Sequence, residues 1–277
     1  MLGVEEAKLL CQQKAPLLGN ETIPLQNALH RILATDLLSP FALPSFRQSA
    51  MDGYAVRLTD SSMEYDILAE ISAGNPKSIE LKEGQGVRIF TGAAVPDNAN
   101  AVIMQEWTEV LDNNSGIRIA EDKVLKQEMN IRPIGEQIQQ GAVALEKGLR
   151  LNAAALGLIQ SFGMQQVNVV KQPLIHLLIT GDELVEPGQD LSFGKIYESN
   201  GISIQSALNE AHFVHIQQFR IKDDLGATID AISYSREHAD VIISSGGISV
   251  GDHDHMEEAL TANYIEQHFY KVKQKPS

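Results

Sequence analysis

A chain of 277 residues with 43% hydrophobic and 21% charged residues has ordinary globular composition and room for one large domain or two to three smaller ones. Its 36 acids against 22 bases leave a net charge of -14, and aromatics are only 5%. With no basic run in view, that balance argues against a nucleic acid partner and against a stacking platform for single strands. The lone cysteine, Cys11, excludes an internal disulfide and a cysteine metal cluster, and no apolar run reaches membrane-spanning length. Met1 to Lys14 already carries Glu5, Glu6 and Lys8, so it does not read as a signal peptide, and a cytoplasmic protein with no membrane contact is expected.

The periodicity predicts a helix over Val4 to Lys14, with Val4, Ala7, Leu10 and a buried Cys11 on one face. Pro16 and Gly19-Asn20 end it, Ile23-Pro24-Leu25 is extended, and a second helix is expected from Gln26 to Leu33. Asp36 to Pro44 holds Pro40 and Pro44 and should cross in extended form. Asp52-Gly53 then signals a turn, and short strands follow at Tyr54–Val56, Tyr65–Ile71, Gly86–Phe90, Ala101–Met104 and Ile117–Ile119. Trp107 reads as packing and Arg132 as a surface arginine. Thr91-Gly92-Ala93 is either a tight turn or a place where a hydroxyl lies against a ligand. Ala153 to Phe162 is helical, capped by Gly163, and is expected to pack on the first two helices.

From Pro173 onward the pattern becomes βαβαβ: strands at Leu174–Thr180, Phe213–Ile221 and Ala239–Ile243, helices at Asn200–Ala211 and Leu225–Arg236. The expected architecture is therefore multidomain α/β. A helical linker region occupies 1–44 and 141–171, a mostly β, barrel-like domain 45–140, and a partial parallel α/β domain 172–277.

The three α/β strands deliver Gly181-Asp182-Glu183, Lys222-Asp223-Asp224 and a loop from Ser244 to Gly251 with three glycines and three serines. In open α/β sheets the carboxyl edge of the strands is where ligands bind. Bare glycine N–H groups can cradle an anion, and Asp252 and Asp254 follow at once. Glu183, one of Asp223 and Asp224, and Asp254 read as Mg²⁺ ligands around a phosphate cradle. An ordinary strand-to-helix turn with an acidic N-cap is the blander reading of the loop taken alone. His253 and His255 flank Asp254 and read as solvent-facing rather than as a transition-metal site. An extended segment from Tyr264 leads to alternating Lys271, Lys273 and Lys275, which suit either phosphate contacts or a solvated edge.

With these motifs placed, the chain resembles the molybdopterin molybdenumtransferase (molybdenum insertase) family. The resemblance is carried by Ser49-Ala50-Met51-Asp52-Gly53-Tyr54-Ala55, Thr91-Gly92-Ala93, Arg132-Pro133-Ile134-Gly135-Glu136, Thr180-Gly181-Asp182-Glu183-Leu184 and Ser244-Ser245-Gly246-Gly247-Ile248-Ser249-Val250-Gly251, in family order. It implies an elongated homodimer, with the active site between the α/β domain of one subunit and the β domain of the other. The implied reaction inserts molybdenum from molybdate into adenylylated molybdopterin and releases AMP, with Mg²⁺ as cofactor.

Carried over by position, the resemblance implies catalytic roles for Asp52, Thr91, Glu183, Asp223, Asp254, Lys271 and Lys275. It implies substrate binding by Ser245, Gly246, Gly247, Ser249 and Gly251, and metal binding by Glu183, Asp224 and Asp254. Contact with the molybdopterin adenylyltransferase is a further implied partnership. Two departures stand out. Gly135-Glu136-Gln137 replaces a family Gly-Glu-Asp and loses one carboxylate, and the family continues beyond Lys275-Pro276-Ser277, so the chain is expected to be C-terminally incomplete. A non-catalytic molybdopterin-binding scaffold and an adenylyltransferase using the α/β domain alone are the competing readings.

Overall fold

The computed structural model describes residues 2–59, 62–111, 115–246 and 255–273. They gather into two units, Thr35–Gln165 and a second one made of Met1–Ala34 with Gln166–Ser277.

The first unit is built on one six-stranded sheet in the order Ala101–Met104, Gly53–Val56, Gln85–Ile89, Glu64–Ile71, Gly116–Ile119, Thr108–Val110. Five of these strands were expected, whereas Thr108–Val110, too short for a periodic signal, forms by pairing antiparallel with Gly116–Ile119. Glu64–Ile71 runs parallel to Gln85–Ile89, with an irregular register between Ile67 and Glu70. Apolar side chains alternate off the two faces. One cluster gathers Ala55, Ile71, Val87, Ile89 and Val102, and the other gathers Val56, Tyr65, Ile103 and Ile117, with Trp107 packed against it. Gly53 is where the sheet tolerates no side chain, since a Cβ there lies 1.9 Å from the Ile103 carbonyl oxygen. The expected helix at Ala153 is present over Ala153–Ser161, with the Asn152 side chain accepting from Ala155 N at 2.9 Å and Gly163 at φ +73 beyond its end.

In the second unit the helix Val4–Lys14 forms as expected, but its one buried residue is Ala7, and Cys11 is exposed rather than buried. The helix has too few apolar neighbours on one face to cover the thiol. The helix expected from Gln26 to Leu33 is absent. A single 3-10 turn, Leu25–Asn27, is followed by His30 at φ 65. Strand pairing wins over local propensity here: Asn20–Pro24 runs antiparallel to Gln166–Val170, Val170 N donates to Ile32 O and Ala34 N to Asn168 O. One of the two N-terminal helices expected as partners of the Ala153 helix is therefore not formed.

The α/β part of this unit is a three-stranded parallel sheet in the order Ile216–Ile221, Ile175–Thr180, Val241–Ser245. The central strand is buried along its whole length, with Leu177, Leu178 and Ile179 at 0% exposure. Each such side chain stabilises the fold by about 1.5–3 kcal/mol relative to exposure. Helices Asn200–Glu210 and Leu225–His238 make the crossovers. The helix that the blander reading of the Gly-rich loop called for is present as Met256–Ala262 and packs against Leu225–His238 through a core of Leu178, Ile232, Met256 and Ala259. The segment after Tyr264 is extended only at Val272–Lys273, which pairs parallel with Leu2–Gly3 instead of joining the sheet. Among the described residues, no helix is long and apolar enough to cross a membrane.

Candidate functional site

The parallel sheet places its first strand in the centre; the first crossover leads to one neighbour, Ile216–Ile221, and the second passes back over the centre to the other, Val241–Ser245. That is a topological switch point, and the crevice outside its carboxyl edge is where such sheets take ligands. Thr180 ends the central strand, nearly buried, with Ile221 opposite it in one neighbour and Ser245 opposite Ile179 in the other. Thr180 Oγ1 reaches Ser245 O at 3.5 Å. Gly246 follows at φ +96, so close that a Cβ there lies 2.6 Å from Thr180 Oγ1 and 2.8 Å from Thr180 O. Only glycine fits this backbone in this position.

Around this edge the acids divide by role. Glu183 is exposed, and its carboxylate has no partner among the described residues. Asp182 is tied into the loops: its Oδ1 accepts from Asp223 N at 3.3 Å, and its backbone oxygen accepts from Lys195 Nζ at 2.7 Å. The bond from Asp223 N joins the loops after two adjacent strands. Asp224 Oδ1 accepts from Ala227 N at 3.0 Å and is the N-cap of Leu225–His238. Asp223 is exposed, with a carboxylate that has no partner among the described residues. Gly247, Ser249, Gly251, Asp252, His253, Asp254 and Lys275 lie outside the described residues. Lys271 is placed elsewhere: its carbonyl accepts from Leu2 N at 2.9 Å, and its Nζ lies 5.0 Å from the Tyr270 ring centroid.

The other unit holds a second constellation. Asp52 sits in the turn that enters strand Gly53–Val56, and Thr91 lies just past strand Gln85–Ile89, its antiparallel neighbour. Thr91 donates both its backbone N–H and its hydroxyl to Asp52 Oδ1, each at 2.8 Å. These two bonds, with Arg88 nearby, hold the Asp52 carboxyl below its ordinary titration range. Arg88 itself donates to Gly53 O at 3.2 Å and to Gln105 Oε1 at 2.5 Å. Sequence reasoning did not single out Arg88, Gln105 or Asp182. The available signal was strand register, because Arg88 lies opposite Tyr54, two residues from Asp52.

No three His, Cys, Asp or Glu side chains converge as a metal site among the described residues. Exposed Glu183 and Asp223, without partners among the described residues, are nevertheless hard oxygen donors of the kind that hold Mg²⁺ singly or in pairs when substrate phosphates complete the shell.

Comparison with known proteins covers the chain with two family models. A family model described as MoeA N-terminal region (domain I and II) matches residues 2–163, and one described as probable molybdopterin binding domain matches residues 176–277. A protein named molybdopterin molybdenumtransferase from Haemophilus influenzae is 37% identical over 279 residues, covering 100% of this chain and 68% of that protein. One of the same name from Staphylococcus aureus is 35% identical over 263 residues, covering 92% of this chain and 62% of its own length. Two crystal structures of a molybdopterin biosynthesis MoeA protein from Pyrococcus horikoshii superpose with TM-scores of 0.78 and 0.81, at 29% and 30% identity. They cover 94% and 89% of this chain, and this chain covers 66% of each. The chain thus spans about two thirds of the length of the relatives it matches.

Proposed function

This chain belongs to the MoeA family, and on that premise we propose that it acts in molybdenum cofactor biosynthesis, transferring molybdenum from molybdate to adenylylated molybdopterin with release of AMP. The observation that carries the proposal is the carboxyl edge of the parallel sheet. There Gly246 brings bare backbone against Thr180 at the switch point, within the matched molybdopterin-binding region.

The chemistry suits the residues. The substrate's phosphoanhydride and molybdate are both anionic, and a chain of net charge -14 must hold them locally. Backbone N–H groups at Ser245 and Gly246 would orient the phosphates without adding charge. Glu183 and Asp223 would hold Mg²⁺, whose positive charge offsets the charge on the leaving phosphate. In the other unit, Asp52 is held ionised by its two bonds from Thr91 and would serve the transfer as a fixed carboxylate. Attack of water on the phosphoanhydride would free AMP and leave the pterin phosphate, and that free energy would favour exchange of molybdate oxygen, lost as water with the thiol protons, for the two dithiolene sulfurs. The working form would be a cytoplasmic homodimer, receiving its substrate from the adenylyltransferase that makes it.

The test is AMP release from adenylylated molybdopterin, with molybdate and Mg²⁺, by the purified chain. Release above background that disappears in Glu183→Ala supports the transfer reaction. Tight pterin binding with no AMP release by the folded chain would instead select the scaffold reading.

A further inference from the structure

The Asp52 turn is fastened from three sides, by Thr91, by Gln105 and by Arg88, and Arg88 also holds the Gln105 side chain. Arg88 lies half-buried on strand Gln85–Ile89, opposite Tyr54. Its guanidinium carbon sits 5.0 Å from the centroids of both Tyr54 and Phe90, stacked against the two rings. Cation–π contacts of this kind fix the plane of the fork. One arm donates to Gly53 O at 3.2 Å, the carbonyl directly after Asp52. The other donates to Gln105 Oε1 at 2.5 Å, while Gln105 N donates back to Asp52 O at 3.1 Å. Gln105 Nε2 reaches Glu106 Oε1 at 3.4 Å, the other charge at this corner. Both backbone carbonyls flanking the Asp52–Gly53 bond are thus held by the Arg88–Gln105 pair, and the carboxylate is held by Thr91.

We infer that Arg88 is a positioning residue for Asp52, fixing the Asp52–Gly53 turn through its two-armed contact with Gly53 and Gln105. A lysine can supply the charge but not the planar two-armed contact, so the arrangement is specific to arginine. The inference rests on the proposed role of Asp52 in the transfer reaction.

A carbon-detected titration of the Asp52 carboxyl in the full chain tests it, with Arg88→Met, Arg88→Lys and Gln105→Ala beside the unaltered protein. The expected result is an Asp52 midpoint that rises in Arg88→Met, rises less in Arg88→Lys, and rises in Gln105→Ala, where the charge remains but one arm is lost. An arginine acting on Asp52 through its charge alone would raise the midpoint in Arg88→Met and leave it unmoved in Arg88→Lys and Gln105→Ala. Should Arg88→Met fail to fold, the other two variants decide the matter, and an unchanged midpoint in both overturns the inference. In AMP release, Arg88→Met should cost less activity in an Asp52→Asn background than in the unaltered chain, because the two act through one group. Full AMP release by Asp52→Asn would defeat the reading of Asp52 itself, whereas the titration reports on Arg88 whatever that outcome.

Discussion

Thr91 gives two hydrogen bonds to one oxygen of Asp52, from its backbone N–H and from its hydroxyl, both 2.8 Å long. Both bonds favour the ionised carboxylate, so the folded Asp52 titrates below its ordinary value. Its contribution to stability is therefore complete above the unfolded value of about 3.9 and is lost as pH falls through the lower folded value. Thr91→Val removes only the hydroxyl donor. The expected outcome is an Asp52 midpoint shifted upward and an acid limb of AMP release displaced to higher pH, read by carboxyl titration and a pH–rate profile. An unmoved midpoint would mean the backbone bond alone sets the carboxyl.

Gly246→Ala should be the most damaging small substitution at the sheet edge. Its Cβ would lie 2.6 Å from Thr180 Oγ1 and 2.8 Å from Thr180 O, at a φ of +96. The strain is on the order of 1–3 kcal/mol, readable as a lower urea midpoint at unchanged slope. Gly157→Ala is the control: it lies within helix Ala153–Ser161, where an added Cβ meets nothing within 4 Å.

Asp224 separates a structural from a metal-binding acid. Its Oδ1 caps Leu225–His238 at Ala227 N. Asp224→Ala should lose about 1 kcal/mol, within the usual range for a lost cap, while Asp224→Asn keeps the acceptor and most of the stability. If Asp224→Asn also leaves Mg²⁺-dependent AMP release intact and Asp223→Asn does not, the functional acid is Asp223.

His176 makes the α/β sheet sensitive to acid. It is fully buried on the central strand, its Nδ1 lies 3.0 Å from Ser235 Oγ, and its Nε2 has no partner among the described residues. Burial foremost, with His238 nearby, pushes its titration below the usual histidine value. Since the unfolded chain binds the proton first, stability is complete above about pH 6.5 and declines as pH falls below it. A thermal melt series across that range should show the decline, and His176→Phe should flatten it. A slope that persists in His176→Phe would assign it to other groups.

Much of this architecture could be read from residue patterns. The βαβαβ run was legible because Ile175–Thr180 is a mostly apolar strand, broken only by His176 before Thr180 ends it, and is buried on both faces. The failures share a cause. Gln26 to Leu33 has helix-compatible residues, but the chain is held to Gln166–Val170 on both sides of it, by Asn20–Pro24 before and by Ile32 and Leu33 at its end, and local propensity carries no record of that partner. Thr108–Val110, likewise, is a strand only because Gly116–Ile119 lies beside it. At the sites, Asp52, Thr91 and Glu183 stood out through motif resemblance. Arg88 and Gln105 did not, because their part depends on cross-strand register and ring stacking rather than on spacing. The choice between Asp223 and Asp224 needed geometry for the same reason, as neighbouring acids look alike until one is seen to cap a helix.

The pairing of Asn20–Pro24 with Gln166–Val170 has a consequence for how the polypeptide acquires its form during synthesis. The first strand leaves the ribosome long before its partner exists, and everything from Thr35 to Gln165 is translated in between. Closing so long a loop from a disordered chain is entropically unfavourable, with each doubling of length adding about 0.6 kcal/mol. The intervening stretch is itself one contiguous unit that can condense as it emerges, and a condensed insert shortens the loop that remains to be closed. We expect a vectorial order in which the inserted sheet becomes protease-resistant on stalled nascent chains before the Asn20–Pro24 strand does. Protection appearing first at the amino-terminal strand would reverse that order.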